Sequence, residues 1–301
     1  MNESKIPIEN KHHFIPQFYL KYFTDDNGKY YLFDKNNKRF MKNPRTPKST
    51  FYEYNRNTIN NFKINDNSIE EIYSSLESDF AKCMKYILTL NNNIEITEIK
   101  QIIYVLKCFI AIQFCRLPIN DDYFDNFILN YDYKKCRNII KDNNGNNLFD
   151  NNFIDKVKND IDFRKYFKSL ILPFLLFNIL EENYNFLKWQ IFDLKYSYQD
   201  YNLICSDAPI IYKNKNDLFM FNGDIILPLT KEKILIVSKN IFPNKFDRLF
   251  WESVNMVLYE QANQYVSVLE KKNLNIIIDR YTVIEKLNMS SYHKENIFTF
   301  L

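Results

Sequence analysis

The run IIYVLKCFIAIQFCRL, Ile102 to Leu117, is apolar on nearly every face of a helix, and this constrains the chain more than any other feature. A helix without a polar face cannot lie at a surface, so it has to be enclosed by other elements in a bundle. Thr97 is placed to cap its start and Pro118 to stop it. Enclosing helices are available on both sides. Ser68 and Glu71 form an S-x-x-E capping box ahead of Ile69, Ile72, Tyr73, Leu76, Phe80, Cys83 and Ile87 at helical spacing, which predicts about five turns. A third helix is expected from Asp162 to Tyr184, kinked where Pro173 removes a backbone donor. Residues 119–160 are rich in Asp and Asn around NNGNN, which predicts short helices joined by a mobile loop.

After Asn185 the helical period gives way to short apolar runs bounded by turn formers: WQIFDL, NLICSD, PIIYK, LFMF, DIILPL and KILIVS. These suit an antiparallel sheet. The segment PNKFDRLFWESVNMVLYEQANQYVSVL then returns to helical period and is expected to pack back on the bundle. Before the bundle, KYYLFD follows the turn DDNG, and Pro44 and Pro47 break what comes next, so the start of the chain reads as an arm with short strands. Helices followed by strands predict an α+β fold: a helical bundle with an antiparallel β-sheet formed mainly by the C-terminal half. The expected parts are an arm over 1–66, a bundle over 67–185, and a sheet with a C-terminal helix over 186–301, packed with the bundle as one unit.

Composition excludes several classes. Hydrophobic residues make up 46% and aromatics 17%, which rules out a disordered chain. A net charge of +3 is close to balance, so only local charge can argue for a polyanionic partner. The five cysteines include no C-x-x-C pair and sit mostly in apolar runs, as reduced core thiols do, and a cytoplasmic location is expected. MNESKIPIENKHH has no apolar signal core, and Lys107, Arg116 and Pro173 interrupt the longest apolar stretches, so no membrane segment is expected. There is no glycine-rich phosphate loop, zinc ligand set, G-x-S-x-G elbow or dinucleotide fingerprint.

Chemistry is concentrated in a few places. HHFIPQFYLKYF holds two of the three histidines, His12 and His13, whose side chains must alternate faces in an extended segment. One of them is the candidate base, acid or metal ligand, or else the pin that anchors the arm. Arg116 sits on a buried helix and needs an anionic partner, with Glu70, Glu77 and Asp207 as the candidates; Gln113 lies one turn earlier on the same face. That arrangement serves either as a salt bridge or as an anion clamp. Glu70 and Glu77 lie two turns apart on one face, and Asp207 closes a strand before Pro209. With a histidine, such carboxylates suit a hard divalent cation, Mg or Mn; alternatively they cap, are solvated, or close a turn. From Lys35 to Lys48 there are Lys38, Arg39, Lys42 and Arg45 but no acid, with Phe40, Phe51 and Tyr52 interleaved or following. This pattern suits a phosphate backbone with stacked bases, or a solvated basic loop.

Several of these motifs resemble, in order, those of the uncharacterised bacterial domain of unknown function 4238 family. The resemblance runs through His12, His13, Phe14, Ile15, Pro16, Gln17, Tyr19, Leu20 and Phe23; Tyr31 to Asp34; Ile69, Glu70 and Glu77; Gln113 to Pro118; Ser206 to Pro209; and Leu227 to Leu229. Leu117 stands where the family more often has Thr, and Ala208 where it has Asn. The resemblance covers about residues 11 to 270 and names no activity.

Rare histidines, carboxylates and a basic arm together point to a metal-assisted nuclease or related hydrolytic effector. In that expectation His13 is base or ligand, Glu77 and Asp207 are the carboxylates that share the metal with it, and Arg116 is the phosphate clamp. His12, Gln17, Gln113, Glu70, Ser206, Lys38, Arg39 and Arg45 are the binding residues, and nucleic acid is the partner. The alternative is a non-enzymatic nucleic-acid or ligand-binding protein in which the same residues lock arm, bundle and sheet together.

Overall fold

The computed structural model describes residues 10–59, 68–90, 93–133, 149–180, 187–198, 201–287 and 292–301. It opens with β1 (Lys11–His13), one helical turn α1 (Gln17–Leu20), and strands β2 (Tyr31–Asp34), β3 (Arg39–Phe40) and β4 (Tyr52–Tyr54). The helical region follows: α2 (Ser68–Thr89), a short strand β5 (Ile94–Glu95), α3 (Lys100–Arg116), α4 (Asp121–Asn130), α5 (Asn151–Asn159), α6 (Ile161–Tyr166) and α7 (Leu172–Leu176). Then come β6 (Lys188–Asp193), β7 (Cys205–Ser206), β8 (Ile211–Tyr212), α8 (Lys215–Met220), β9 (Ile225–Pro228) and β10 (Lys233–Ser238). The chain closes with α9 (Arg248–Gln261), β11 (Tyr265–Val268), α10 (Lys271–Lys286) and α11 (Tyr292–Asn296). The fold is α+β.

The apolar run becomes α3, and from Leu106 to Arg116 every residue is buried. Its polar members are buried too and end on interior partners: Lys107 Nζ donates to the Asn178 carbonyl at 3.4 Å and lies 5.2 Å from the Phe221 ring centroid. Helix α2 turns Ile69, Tyr73, Phe80, Met84 and Ile87 inward, a narrower stripe than its sequence suggests, since Ile72 is 40% exposed. The helix expected to run to Tyr184 stops sooner. It widens into a π-turn over Phe167–Ile171, which accommodates the donor that Pro173 lacks, and ends at Leu176 with Phe177 extended. The NNGNN loop lies outside the described residues.

Among the described residues, three antiparallel sheets organise the strands. The largest runs β5-β6-β10-β9-β8, a second runs β3-β2-β11-β7, and β1 pairs with β4 alone. The second sheet joins the start of the chain to its end: β2 pairs with β11 in the register Tyr31↔Val268 to Asp34↔Tyr265. Two apolar runs take a different form from the one expected. LFMF is helical in α8, because Asn214 caps it by accepting the Asp217 amide at 2.8 Å and Phe221 ends it at φ 47°. The C-terminal run divides at Ala262, so YVSV is strand β11 and α9 packs against β7, α10 and α11. Lys35 holds the end of α9, donating to the carbonyls of Tyr259, Glu260 and Ala262 at 2.7, 3.2 and 2.6 Å. Among the described residues no single helix is long and apolar enough to cross a membrane.

Candidate anion-binding site

Pairing of β1 with β4 sets His12 opposite Glu53 and His13 opposite Tyr52, so the two imidazoles point to opposite sides. His12 is 2% exposed, and its Nδ1 accepts the Asn57 amide at 2.8 Å. That bond requires an unprotonated Nδ1. Burial lowers the His12 pKa, Glu70 opposes the shift, and Arg116 and Lys165 add to it. His13 meets the Gln17 side-chain amide at 3.3 Å through Nδ1, and its ring centroid lies 5.6 Å from that of Tyr52. Its Nε2 is buried without a well-formed hydrogen bond among the described residues. Burial also lowers the His13 pKa, opposed by the backbone of Lys48 and Pro47.

The carbonyls that follow β1 are held from α3. Gln113 Nε2 donates to the Phe14 carbonyl at 2.8 Å, and Arg116 Nη2 donates to the His13 carbonyl. One helical turn separates the two donors, so the Gln-x-x-Arg spacing matches two consecutive carbonyls of an extended strand. Arg116 also donates through Nη1 to Glu77 Oε1 at 2.8 Å, and its guanidinium lies 4.4 Å from the Tyr73 ring centroid. Of the three acids expected to pair with Arg116, Glu77 does so. Glu70 instead accepts from the Asn57 side chain. Arm, α2 and α3 are thereby locked together.

Asp207 is 4% exposed and closes a turn. It accepts the backbone amides of Asn263, Gln264 and Tyr265 at 2.8, 2.6 and 2.8 Å. Burial raises its pKa, and the three amides and Lys35 oppose the shift. Ser206 accepts the Ala208 amide at 3.3 Å. Carboxylates so occupied do not fit the expected cation set of His13, Glu77 and Asp207. Among the described residues, no three His, Cys, Asp or Glu side chains are grouped to hold a metal ion.

A cavity of about 190 Å³ opens where Arg116 leaves α3. Arg56 and Asn57 wall it from beyond β4, Asp121 and Asp125 from α4, Arg164 and Lys165 from α6, and Lys168 from the π-turn. Among the described residues, five cations including Arg116 thus face two carboxylates. Asp121 organises part of the wall: it receives Arg56 at 2.9 and 2.7 Å and Lys168 at 2.6 Å, while Arg56 Nη1 also reaches Glu53 at 2.7 Å. Arg164 Nε donates to the Val157 carbonyl at 3.1 Å, and Lys165 Nζ to the Thr58 carbonyl at 3.5 Å. Neither has a carboxylate partner among the described residues. Such a wall suits an anion, because its donors are already oriented and its charge is not cancelled within the cavity.

The expected site residues therefore separate. Arg116 lines this cavity, Asp207 lines another of about 120 Å³, and His13, Glu70 and Glu77 line neither. Lys38, Arg39, Lys42 and Lys48 are exposed, Arg45 is half-buried, and none forms an ion pair among the described residues. Phe51, expected to stack a base, is 1% exposed in the core. Arg56, Asn57, Asp121, Arg164, Lys165 and Lys168 were not singled out from the sequence. The available signal was the spacing of Arg164 and Lys168, four apart on one helical face.

Residues 11–272 match the family model described as protein of unknown function, DUF4238, and the chain belongs to that family. Comparison with curated proteins and with solved structures finds no match.

Proposed function

We propose that this chain is a non-enzymatic binding protein for a phosphate-bearing ligand, held at the cavity between α3, α4 and α6. The supporting observation is the wall that, among the described residues, has five cations and two carboxylates and leaves Arg164 and Lys165 with no carboxylate of their own. A nucleic-acid chain is the form of the ligand favoured by the exposed Lys38, Arg39, Lys42 and Lys48. In this reading His13, Gln17, Gln113, Glu77, Ser206 and Asp207 hold the scaffold that presents the cavity. Titration with inorganic phosphate and with a 5′-phosphorylated oligonucleotide tests it. Saturable binding is expected, falling about tenfold or more when Lys165 and Lys168 are both changed to Glu, with a linear dependence of log affinity on log salt. Unchanged affinity in that variant rejects the reading. Cleavage of the oligonucleotide with Mg or Mn, abolished by His13→Ala, would replace it with the hydrolytic one.

A further inference from the structure

The second cavity, about 120 Å³, lies beyond the Arg56–Glu53 ion pair and has the opposite character. Among the described residues its wall includes the aromatic Phe14, Tyr52 and Tyr265 and the acids Glu53 and Asp207, and no Lys, Arg or His. From this geometry we infer that the cavity binds an organic ammonium group.

Three features support this. The Asp207 carboxylate is 4% exposed and has no ion-pair partner among the described residues. Lys35 acts on it only from a distance, since its Nζ is engaged by the carbonyls that end α9. The cavity wall therefore carries a buried carboxylate that backbone amides solvate and that, among the described residues, no cation pairs with. Secondly, aromatic rings beside such a charge attract a cation with a weakly hydrated, alkylated surface. The chain itself places an ammonium on this segment: Lys11 Nζ lies 4.4 Å from the Tyr52 ring centroid and 6.0 Å from that of Tyr54. Thirdly, the carboxylates suit an ammonium better than a metal. Both Asp207 oxygens accept backbone amides and one Glu53 oxygen accepts Arg56, so a hard cation would not find the several free oxygens it needs.

Calorimetric titration of the full chain with tetramethylammonium and methylammonium tests the inference, with tert-butanol as the uncharged counterpart and magnesium as the metal. Saturable heat is expected for the ammonium ions. Tyr52→Leu is expected to weaken it about fivefold or more, within the range of a desolvated cation–ring contact. Glu53→Gln should weaken it as well, and melting curves for both variants show whether the fold is kept. If Tyr52→Leu does not fold, Glu53→Gln decides. Equal binding of tert-butanol would reduce the site to an apolar void and overturn the inference. Displacement of the ammonium ions by magnesium, absence of saturable heat, or full affinity in a folded variant would each do the same.

Discussion

The cavities on either side of the Arg56–Glu53 pair both draw on β4 with the residues just after it and on the end of α3 with the residues just after it, yet one collects cations and the other acids and aromatic residues. Glu53 and Arg56 are three residues apart, and Arg116 and Pro118 two, but each pair divides between the two walls. The shared scaffold does not set their character. The distant element that closes each one does: α6 and the π-turn bring Arg164, Lys165 and Lys168 to the first, while the turn held by Asp207 brings Asn263, Gln264 and Tyr265 to the second.

The comparison can be broken most severely at the lock between the cavities. Arg116→Ala leaves Glu77 without its partner and the His13 carbonyl without its donor. A loss of about 3 kcal/mol in urea unfolding is expected, at the low end for a buried pair because Glu77 is 25% exposed. Asp207→Ala strands three turn amides and should cost about 2 kcal/mol, which unfolding measured in the same way will show. It should also remove ammonium binding while leaving phosphate binding in the folded fraction intact.

Arg56→Ala sharpens the contrast, because this residue faces one cavity and restrains an acid of the other. Phosphate affinity should fall about tenfold, or about 1.4 kcal/mol, whereas ammonium affinity should rise as Glu53 is released. Parallel titrations that move in the same direction would show that the cavities are not separate sites.

Acid should weaken the basic cavity selectively. The pKa of His12 is lowered from its ordinary 6.5 by burial, so its contribution to stability is complete above pH 6.5 and is lost as pH falls through the lowered folded value. Protonation of Nδ1 expels the Asn57 amide and loosens the wall that also carries Arg56. With sulfate as the probe, affinity should decline in the wild type as pH falls below 6.5 and through the lowered value of folded His12, and stay flatter in His12→Gln. The smallest effect is expected from Lys38→Glu with Arg39→Glu. Both residues are exposed, so the melting temperature should hardly change, while the salt dependence of oligonucleotide binding should flatten.

Much of this architecture is legible in the sequence. An all-apolar helix had to be central, and α3 is; a buried guanidinium required an acid, and Glu77 supplies it. Adjacent histidines in an extended strand had to diverge, and β1 separates them. Short apolar runs were less informative, because LFMF reads equally as strand or as half-buried helix until Asn214 caps it. Likewise nothing local in YVSV marks the change from α9 to β11; its pairing with β2, from the other end of the chain, makes it a strand.

The sequence by itself determined the α+β layout, the central helix and the need of Arg116 for an acid, because local periodicity and the cost of an unpaired buried charge act wherever the partner lies. Only the tertiary structure decided that Asp207 closes a turn, that His13 lies off both cavity walls, and that Arg56, Arg164, Lys165 and Lys168 meet across more than a hundred residues of chain. The physical reason is that one exposed charge in a Lys- and Asn-rich chain carries no mark of its destination. It becomes part of a site when packing elsewhere places other charges within Coulombic reach and withholds the counter-charges that would cancel them.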